Sequence, residues 1–260
     1  GVSYGVHEVA RLTKHKPLKI VDHISDVNMP YSDIAREYLL REGLSPEFII
    51  KTGSPMDEVL SFYQDSINSS DVLSRLKLGA GEYFVVSVHR EENVDSDSNI
   101  YKYVDVLNTL ADKFGLPIIV STHPRTRKKI EALNLQFSPL VQLLKPLGFS
   151  DYVKLQCESK LVLSDSGTIT EESSIMNFSA LNIREAQERP EGFEEGAVMF
   201  TGMEIERILQ AINILGDQND GEQRTMNLVQ DYVAPNVSDK VVRIITSYTD
   251  YVNKFVWKKS

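Results

Sequence analysis

Leu161-Val-Leu-Ser-Asp-Ser-Gly-Thr-Ile-Thr-Glu-Glu172 runs from a short apolar stretch into a polar turn and then into a segment of helical period. A strand that ends in a glycine-containing turn and opens a helix is the junction of a parallel β/α unit. Glycine at Gly167 lets a backbone come close to an anion, and the N–H groups that open the following helix carry the positive end of its dipole. Glu172, one turn in, can accept hydrogen bonds from ribose hydroxyls. The same residues also fit a helix cap, because Thr168 and Glu171 match the T-x-x-E pattern. Both readings use the same orphan amides.

The pattern repeats on either side of this junction. Apolar runs at Phe84 to Val88, Ile118 to Ser121, Val141 to Leu144, Leu161 to Ser164, Ala180 to Ile183 and Val198 to Phe200 read as strands. Ile100, Val104, Leu107, Ala111 and Phe114 recur at intervals of three and four, which predicts an amphipathic crossover helix. Further helices are expected at Ser32 to Arg41, Tyr152 to Cys157, Ile169 to Asn177, Glu204 to Leu215 and Ser238 to Phe255. Alternation of this kind predicts an α/β fold with a mostly parallel sheet covered on both faces. Lys19 to Met29 and Phe48 to Thr52 read as strand and turn material. The first 53 residues are expected to form part of a second, incomplete domain, with a hinge near Gly53-Ser54-Pro55.

In such sheets ligands bind at the carboxyl ends of the strands. Polar clusters stand at those places: His89-Arg90-Glu91-Glu92-Asn93, Thr122-His123-Pro124-Arg125, Asp165-Ser166-Gly167-Thr168, and Arg184-Glu185 followed by Glu188-Arg189-Pro190-Glu191. His89 suits proton transfer or charge neutralisation at a phosphate, and a surface histidine at a loop start is the plain alternative. His123 carries the same two readings. Arg189, beside the rigid Pro190, suits paired recognition of oxygens, with a surface ion pair as the alternative. Tyr152 can stack on a base or pack in the core. Arg125, Arg127, Lys128 and Lys129 read as a solvated helix face.

Composition limits the partners. The chain has 260 residues, 42% hydrophobic and 25% charged, with 28 Lys+Arg against 37 Asp+Glu and a net charge of −9. This is the make-up of a globular protein with a real core, and its acidity argues against a nucleic-acid binder that neutralises many phosphates. No window reaches the roughly 20 consecutive apolar residues of a membrane span. The one cysteine, Cys157, excludes an internal disulfide and fits a reducing cytoplasm. No Walker loop, G-x-G-x-x-G fingerprint, G-x-S-x-G elbow, H-E-x-x-H pair or C-x-x-C pair occurs, so metal, nicotinamide and serine-hydrolase chemistry have no support.

Taken in order, Ser87-Val-His-Arg-Glu-Glu-Asn93, Ser121-Thr-His-Pro124, Leu163-Ser-Asp-Ser-Gly-Thr-Ile-Thr-Glu-Glu172 and Glu188-Arg-Pro-Glu191 resemble the non-hydrolysing UDP-N-acetylglucosamine 2-epimerases. Arg125-Thr-Arg127 and Ala180-Leu-Asn-Ile-Arg-Glu185 look closest to the branch that makes UDP-N-acetyl-L-fucosamine for capsule and O-antigen. The resemblance implies a Rossmann-like parallel sheet, the C-terminal half of a GT-B-like two-domain epimerase fold, with no added cofactor. It implies that Ser166, Gly167 and Thr168 hold the diphosphate and Glu172 the ribose. Tyr152 would lie by the uracil, His89 and Arg189 would neutralise the departing diphosphate, and His123 would line the cleft.

Members of that family carry G-T-R-P-E, G-D-T, H-x-E-A-G and P-E-E-x-N-R segments that supply carboxylates for proton transfer at C2, and none occurs here. The expectation is therefore a chain that lacks the N-terminal domain. It comprises a remnant of that domain at 1–53, a UDP-binding domain at 54–240 and a helix at 241–260 that returns toward the missing part. Its expected partners are a UDP-sugar and either a second copy or the missing domain. A non-catalytic nucleotide-sugar-binding or partner-binding protein and a GT-B glycosyltransferase are the alternatives.

Overall fold

The computed structural model describes residues 2–6, 16–88, 96–122, 124–184, 189–218 and 221–259. In chain order its elements are β1 (Tyr4–Val6), α1 (Lys16–Ile24), β2 (Val27–Met29), α2 (Asp33–Arg41), α3 (Met56–Phe62), α4 (Gln64–Asn68) and α5 (Val72–Leu76). There follow β3 (Phe84–Val88), α6 (Asp97–Phe114), β4 (Ile118–Thr122), α7 (Pro124–Ala132), β5 (Val141–Leu144), α8 (Phe149–Cys157), β6 (Leu161–Ser164) and α9 (Thr168–Met176). The last are β7 (Ala180–Asn182), α10 (Pro190–Glu194), β8 (Met199–Phe200), α11 (Ile205–Gly216) and α12 (Val237–Phe255).

The chain divides into two compact units. The larger comprises Tyr63–Gln187 and Glu195–Asn227. Its six strands pair in the order β5-β4-β3-β6-β7-β8, every pair parallel. All residues of β3, β4 and β6 are buried, as expected of strands covered on both faces. Helix α6 lays Ile100, Tyr103, Val104, Leu107, Leu110 and Ala111 inward at intervals of three and four. It stops at Gly115, whose φ of +63° is left-handed. Phe84, Val86, Val120, Leu161, Leu163 and Leu181 from the strands join this face in one core.

The smaller unit comprises Gly1–Phe62, Glu188–Glu194 and Leu228–Ser260. Parallel strands β1 and β2 form its sheet, and Val27 and Met29 pack against Val252 of α12. Tyr4 donates its hydroxyl to the Ile245 carbonyl at 3.0 Å, fastening the same helix. On the outer side of α12, Val242, Ile245, Tyr251 and Phe255 are exposed. Glu191 lies buried in this unit, and both its oxygens are bound. The Tyr232 hydroxyl donates to Oε1 at 3.0 Å and the Ser32 hydroxyl to Oε2 at 3.2 Å. Ser32 also caps α2, accepting from the Ala35 N–H at 3.1 Å.

Two expectations are corrected here. Lys19 to Ile24 is helix, not strand; Ile20 and Ile24, spaced i to i+4, share an exposed face at 59% and 68%. Phe48 to Thr52 contributes a 3-10 turn at Pro46–Phe48 and a single bridge from Ile49 to Asn28. Gly53, where a hinge is expected, is closely packed. Its φ is +90°, a Cβ there would lie 2.3 Å from Ala234 Cβ, and the Ser54 N–H donates to the Asp231 carbonyl at 2.9 Å. The compact units part after Phe62, on both sides of Glu188–Glu194 and again at Leu228.

Candidate functional site

Strand order locates the site in the larger unit. From β3 the chain steps outward through β4 to β5, then returns to place β6 on the other side of β3. The reversal makes the carboxyl ends of β3 and β6 a topological switch point, where connecting segments diverge and leave a crevice. Asp165-Ser166-Gly167-Thr168 follows β6 at that place. His89 follows β3 and His123 follows β4, but both lie outside the described residues.

The turn after β6 is held by its own hydroxyls. The Ser166 N–H donates to Ser164 Oγ at 3.1 Å, and the Ser166 and Thr168 hydroxyls pair at 2.9 Å. The Thr168 N–H donates to Ser166 Oγ at 3.3 Å. Gly167 is the N-cap, with no side-chain cap bond, and Thr168 is the first helical residue. Thr168 is thus one position past the N-cap that the T-x-x-E pattern assigns it, and Ser166 Oγ accepts from its amide. At its other end α9 is anchored by Arg224, whose Nη1 and Nη2 donate to the Ser174 and Ile175 carbonyls at 2.7 Å each. Asn177 ends the helix at φ +56°.

Polar groups gather below the turn. Asp165 is fully buried, and its N–H donates to the Ser87 carbonyl at 3.2 Å. Glu172 is buried and accepts from Gln156 Nε2 at 2.8 Å. Burial drives the Tyr152 phenol well above its ordinary value; a hydrogen bond with Ser87 opposes this, and the charges of Glu172 and Asp165 add to it. Tyr103 is raised in the same way, by burial and then by Asp165 and Tyr152. Both phenols therefore stay protonated and can act as donors. Helix α8, which carries Tyr152 and Gln156, is pinned at its first turn by Ser70, whose hydroxyl donates to Asp151 Oδ1 at 2.6 Å. That bond and then Arg75 hold the Asp151 carboxyl below its usual range.

Of the expected residues, Tyr152, Ser166, Gly167, Thr168 and Glu172 stand on the larger unit around this switch point. The fourth rim cluster is divided. Ile183 and Arg184 follow β7, whereas Arg189, Pro190 and Glu191 belong to the smaller unit, where Glu191 is buried against Tyr232 and Ser32. Gln156 and Tyr103 were not singled out by sequence, and Ser87 and Asp165 entered only as members of the quoted clusters, with no role of their own. A glutamine three residues after Val153, on the buried side of α8, was the available signal.

Cys157 ends α8. Burial, and then the neighbouring Glu158 carboxylate, pushes its thiol up to about 12. The reactive species is the thiolate, so the folded chain is expected to stay unlabelled by DTNB at pH 8 while the urea-unfolded chain reacts to completion. The folded state keeps this proton longer than the unfolded state. The associated stability is therefore complete below the unfolded value and is lost as pH rises toward 12. Rapid labelling of the folded chain would contradict this placement.

A family model described as UDP-N-acetylglucosamine 2-epimerase matches residues 19–246. The chain belongs to that family. The M. jannaschii UDP-N-acetylglucosamine 2-epimerase (Methanocaldococcus jannaschii) is 26% identical to it over 235 residues, covering 87% of this chain and 62% of that protein. The structure of the epimerase from Rickettsia bellii is similar at a TM-score of 0.91 and 42% identity, over 98% of this chain and 70% of that one. The M. jannaschii epimerase crystallised in complex with UDP-GlcNAc and UDP is similar at a TM-score of 0.81 and 25% identity, over 95% of this chain and 68% of that one. The α/β fold with a parallel sheet is thus that of the GT-B-like epimerases. The chain spans 62% of the M. jannaschii protein and 60% of its Methanococcus maripaludis counterpart. Glycosyltransferase and non-catalytic alternatives are not favoured by these matches. No helix among the described residues is long and apolar enough to cross a membrane.

Proposed function

We propose that this chain is the nucleotide-holding part of a non-hydrolysing UDP-N-acetylhexosamine 2-epimerase. The observation that supports it is the Asp165–Thr168 turn, which opens a helix at the carboxyl end of β6, beside β3, where the sheet reverses. In this reading UDP leaves C1 of the sugar to give a glycal and re-adds after the configuration at C2 has changed. Breaking the C1 to oxygen bond builds negative charge on the diphosphate. Donors that are already oriented at that spot lower the barrier, because they need no reorganisation as the charge develops. Ser166, Gly167 and Thr168 receive the diphosphate, Glu172 the ribose and Tyr152 the uracil. His89, His123 and Arg189 keep the roles the resemblance implies, with the two cations offsetting the charge of the leaving group.

The family segments to which this reading gives the proton transfer at C2 do not occur in these 260 residues, so it assigns those carboxylates to polypeptide outside them. Purified alone, the chain is expected to bind UDP in calorimetry and to exchange no deuterium into C2 of UDP-N-acetylglucosamine. Ser166→Ala is expected to weaken UDP by about tenfold, the value of a hydrogen bond to a charged group. Robust turnover without a partner, or affinity unmoved by Ser166→Ala, would overturn the assignment. The finer reading places the protein in the cytoplasm, in the branch that makes UDP-N-acetyl-L-fucosamine for capsule and O-antigen. It rests on Arg125-Thr-Arg127 and Ala180–Glu185, and a complemented epimerase that prefers other UDP-sugars would refute it.

A further inference from the structure

Helix α12 carries an aromatic ladder along one side. Tyr248, Tyr251 and Phe255 follow one another at intervals of three and four, with ring centroids 5.9 and 4.8 Å apart. Phe48, from the turn that precedes Ile49, adds a fourth ring 6.0 Å from Tyr251. Aromatic rings gain much from burial, yet Tyr251 and Phe255 are 40% and 52% exposed. Beside the ladder lies an open pocket of about 280 Å³, lined by Glu47, Ser247, Tyr248 and Tyr251. All these residues belong to the smaller unit.

The pocket gathers negative potential and supplies no cation. Ring faces are the negative side of the aromatic quadrupole, and the Glu47 carboxylate adds a full charge of the same sign. No described residue bonds to that carboxylate, and no described lysine or arginine lies over the Tyr248 or Tyr251 ring. Further along, the same chain end satisfies its exposed rings with its own ammonium groups. Lys254 Nζ lies 5.5 Å from the Phe255 centroid and Lys259 Nζ 5.8 Å from that of Trp257. A net charge of −9 favours the approach of a cation from solution. The volume, just under the roughly 300 Å³ at which drug-sized sites begin, suits a small molecule.

We propose that this pocket binds a small organic cation of the alkylammonium class, with its charged head against the Tyr248 and Tyr251 rings and beside the Glu47 carboxylate. The site does not depend on the nucleotide reading.

The test is an NMR titration of the full chain with choline and with 3,3-dimethylbutanol, its neutral carbon isostere, at constant ionic strength because exposed attraction is screened by salt. Choline is expected to shift the Tyr248 and Tyr251 ring signals with a Kd of about 1–10 mM, and the alcohol to bind at least about fivefold more weakly. Glu47→Gln should weaken choline by about three- to fivefold and leave the alcohol unchanged, a difference that a general loss of structure would not produce. Tyr251→Leu should weaken choline by a similar factor. Glu47 is exposed, so its variant decides the matter if the leucine variant does not fold. Equal binding of the alcohol, or choline binding unmoved in Glu47→Gln, would show a merely apolar surface and overturn the inference. Absence of any choline-induced shift would do the same. A lysine-bearing peptide that outcompetes choline at equal concentration would assign the face to a partner polypeptide and overturn the small-molecule ligand.

Discussion

A Gly167→Val chain is expected to fold with its stability changed by no more than about 1 kcal/mol and to bind UDP about 100-fold more weakly than its parent. The backbone gives the reason. Gly167 sits at φ −66° and ψ −35°, a conformation open to every L-residue, so no left-handed turn requires glycine there. Nor is it needed as a cap, since the Thr168 amide is served by Ser166 Oγ. What a branched side chain removes is the approach of an anion to the amides that open α9. Losing the two to three hydrogen bonds made there accounts for a change of about that size. Urea unfolding and calorimetry on the same sample separate the two effects. Unchanged affinity would show that the diphosphate is held elsewhere, and lost stability would show that glycine serves packing.

Glu191→Ala is expected to destabilise the smaller unit by about 2–4 kcal/mol, because two buried donors lose their acceptor together. Tyr232 and Ser32 are both buried, at 0% and 1% exposure, so water cannot replace the carboxylate without opening the unit. Ser32 has a second duty as the cap of α2, and losing its outer partner frees it to rotate away from the Ala35 amide. Glu191→Gln keeps one acceptor oxygen, and a hydroxyl can turn to accept from its amide, so its loss should be about half as large. Urea midpoints at unchanged m-value measure both. A loss under about 0.5 kcal/mol for the alanine variant would mean that the three side chains do not act as a unit.

The larger unit was legible because strands buried on both faces are written as unbroken apolar runs. Phe84–Val88 and Leu161–Ser164 were read to the residue, as was the half-buried edge strand Val141–Leu144, and α6 declared itself by its spacing. The segment from Lys19 to Ile24 misled for a definite reason. Ile-Val-Asp-His-Ile is rich in β-branched residues and also satisfies a helical i to i+4 pair, and with Ile20 and Ile24 exposed there is no core contact to decide between the two. Ser166, Gly167, Thr168 and Glu172 were visible because turn, glycine and helix start are adjacent in sequence. The Gln156 to Glu172 bond was not, since it joins residues 16 apart across a strand and leaves no local pattern. The burial of Glu191 was hidden for the same reason, since its partners Tyr232 and Ser32 lie far away along the chain.

The strand order also bears on how the polypeptide emerges from the ribosome. Synthesis delivers β3, β4 and β5 first, and the sheet grows in one direction only. One edge of β3, a strand whose five residues are all buried in the finished sheet, then stays unpaired until Leu161–Ser164 has been made and left the exit tunnel. The lesser unit waits longer still, because its sheet is closed by Val252. A growing chain arrested between residues 122 and 161 thus displays a sticky strand border with no native neighbour, which is the interval in which holding chaperones have most to protect.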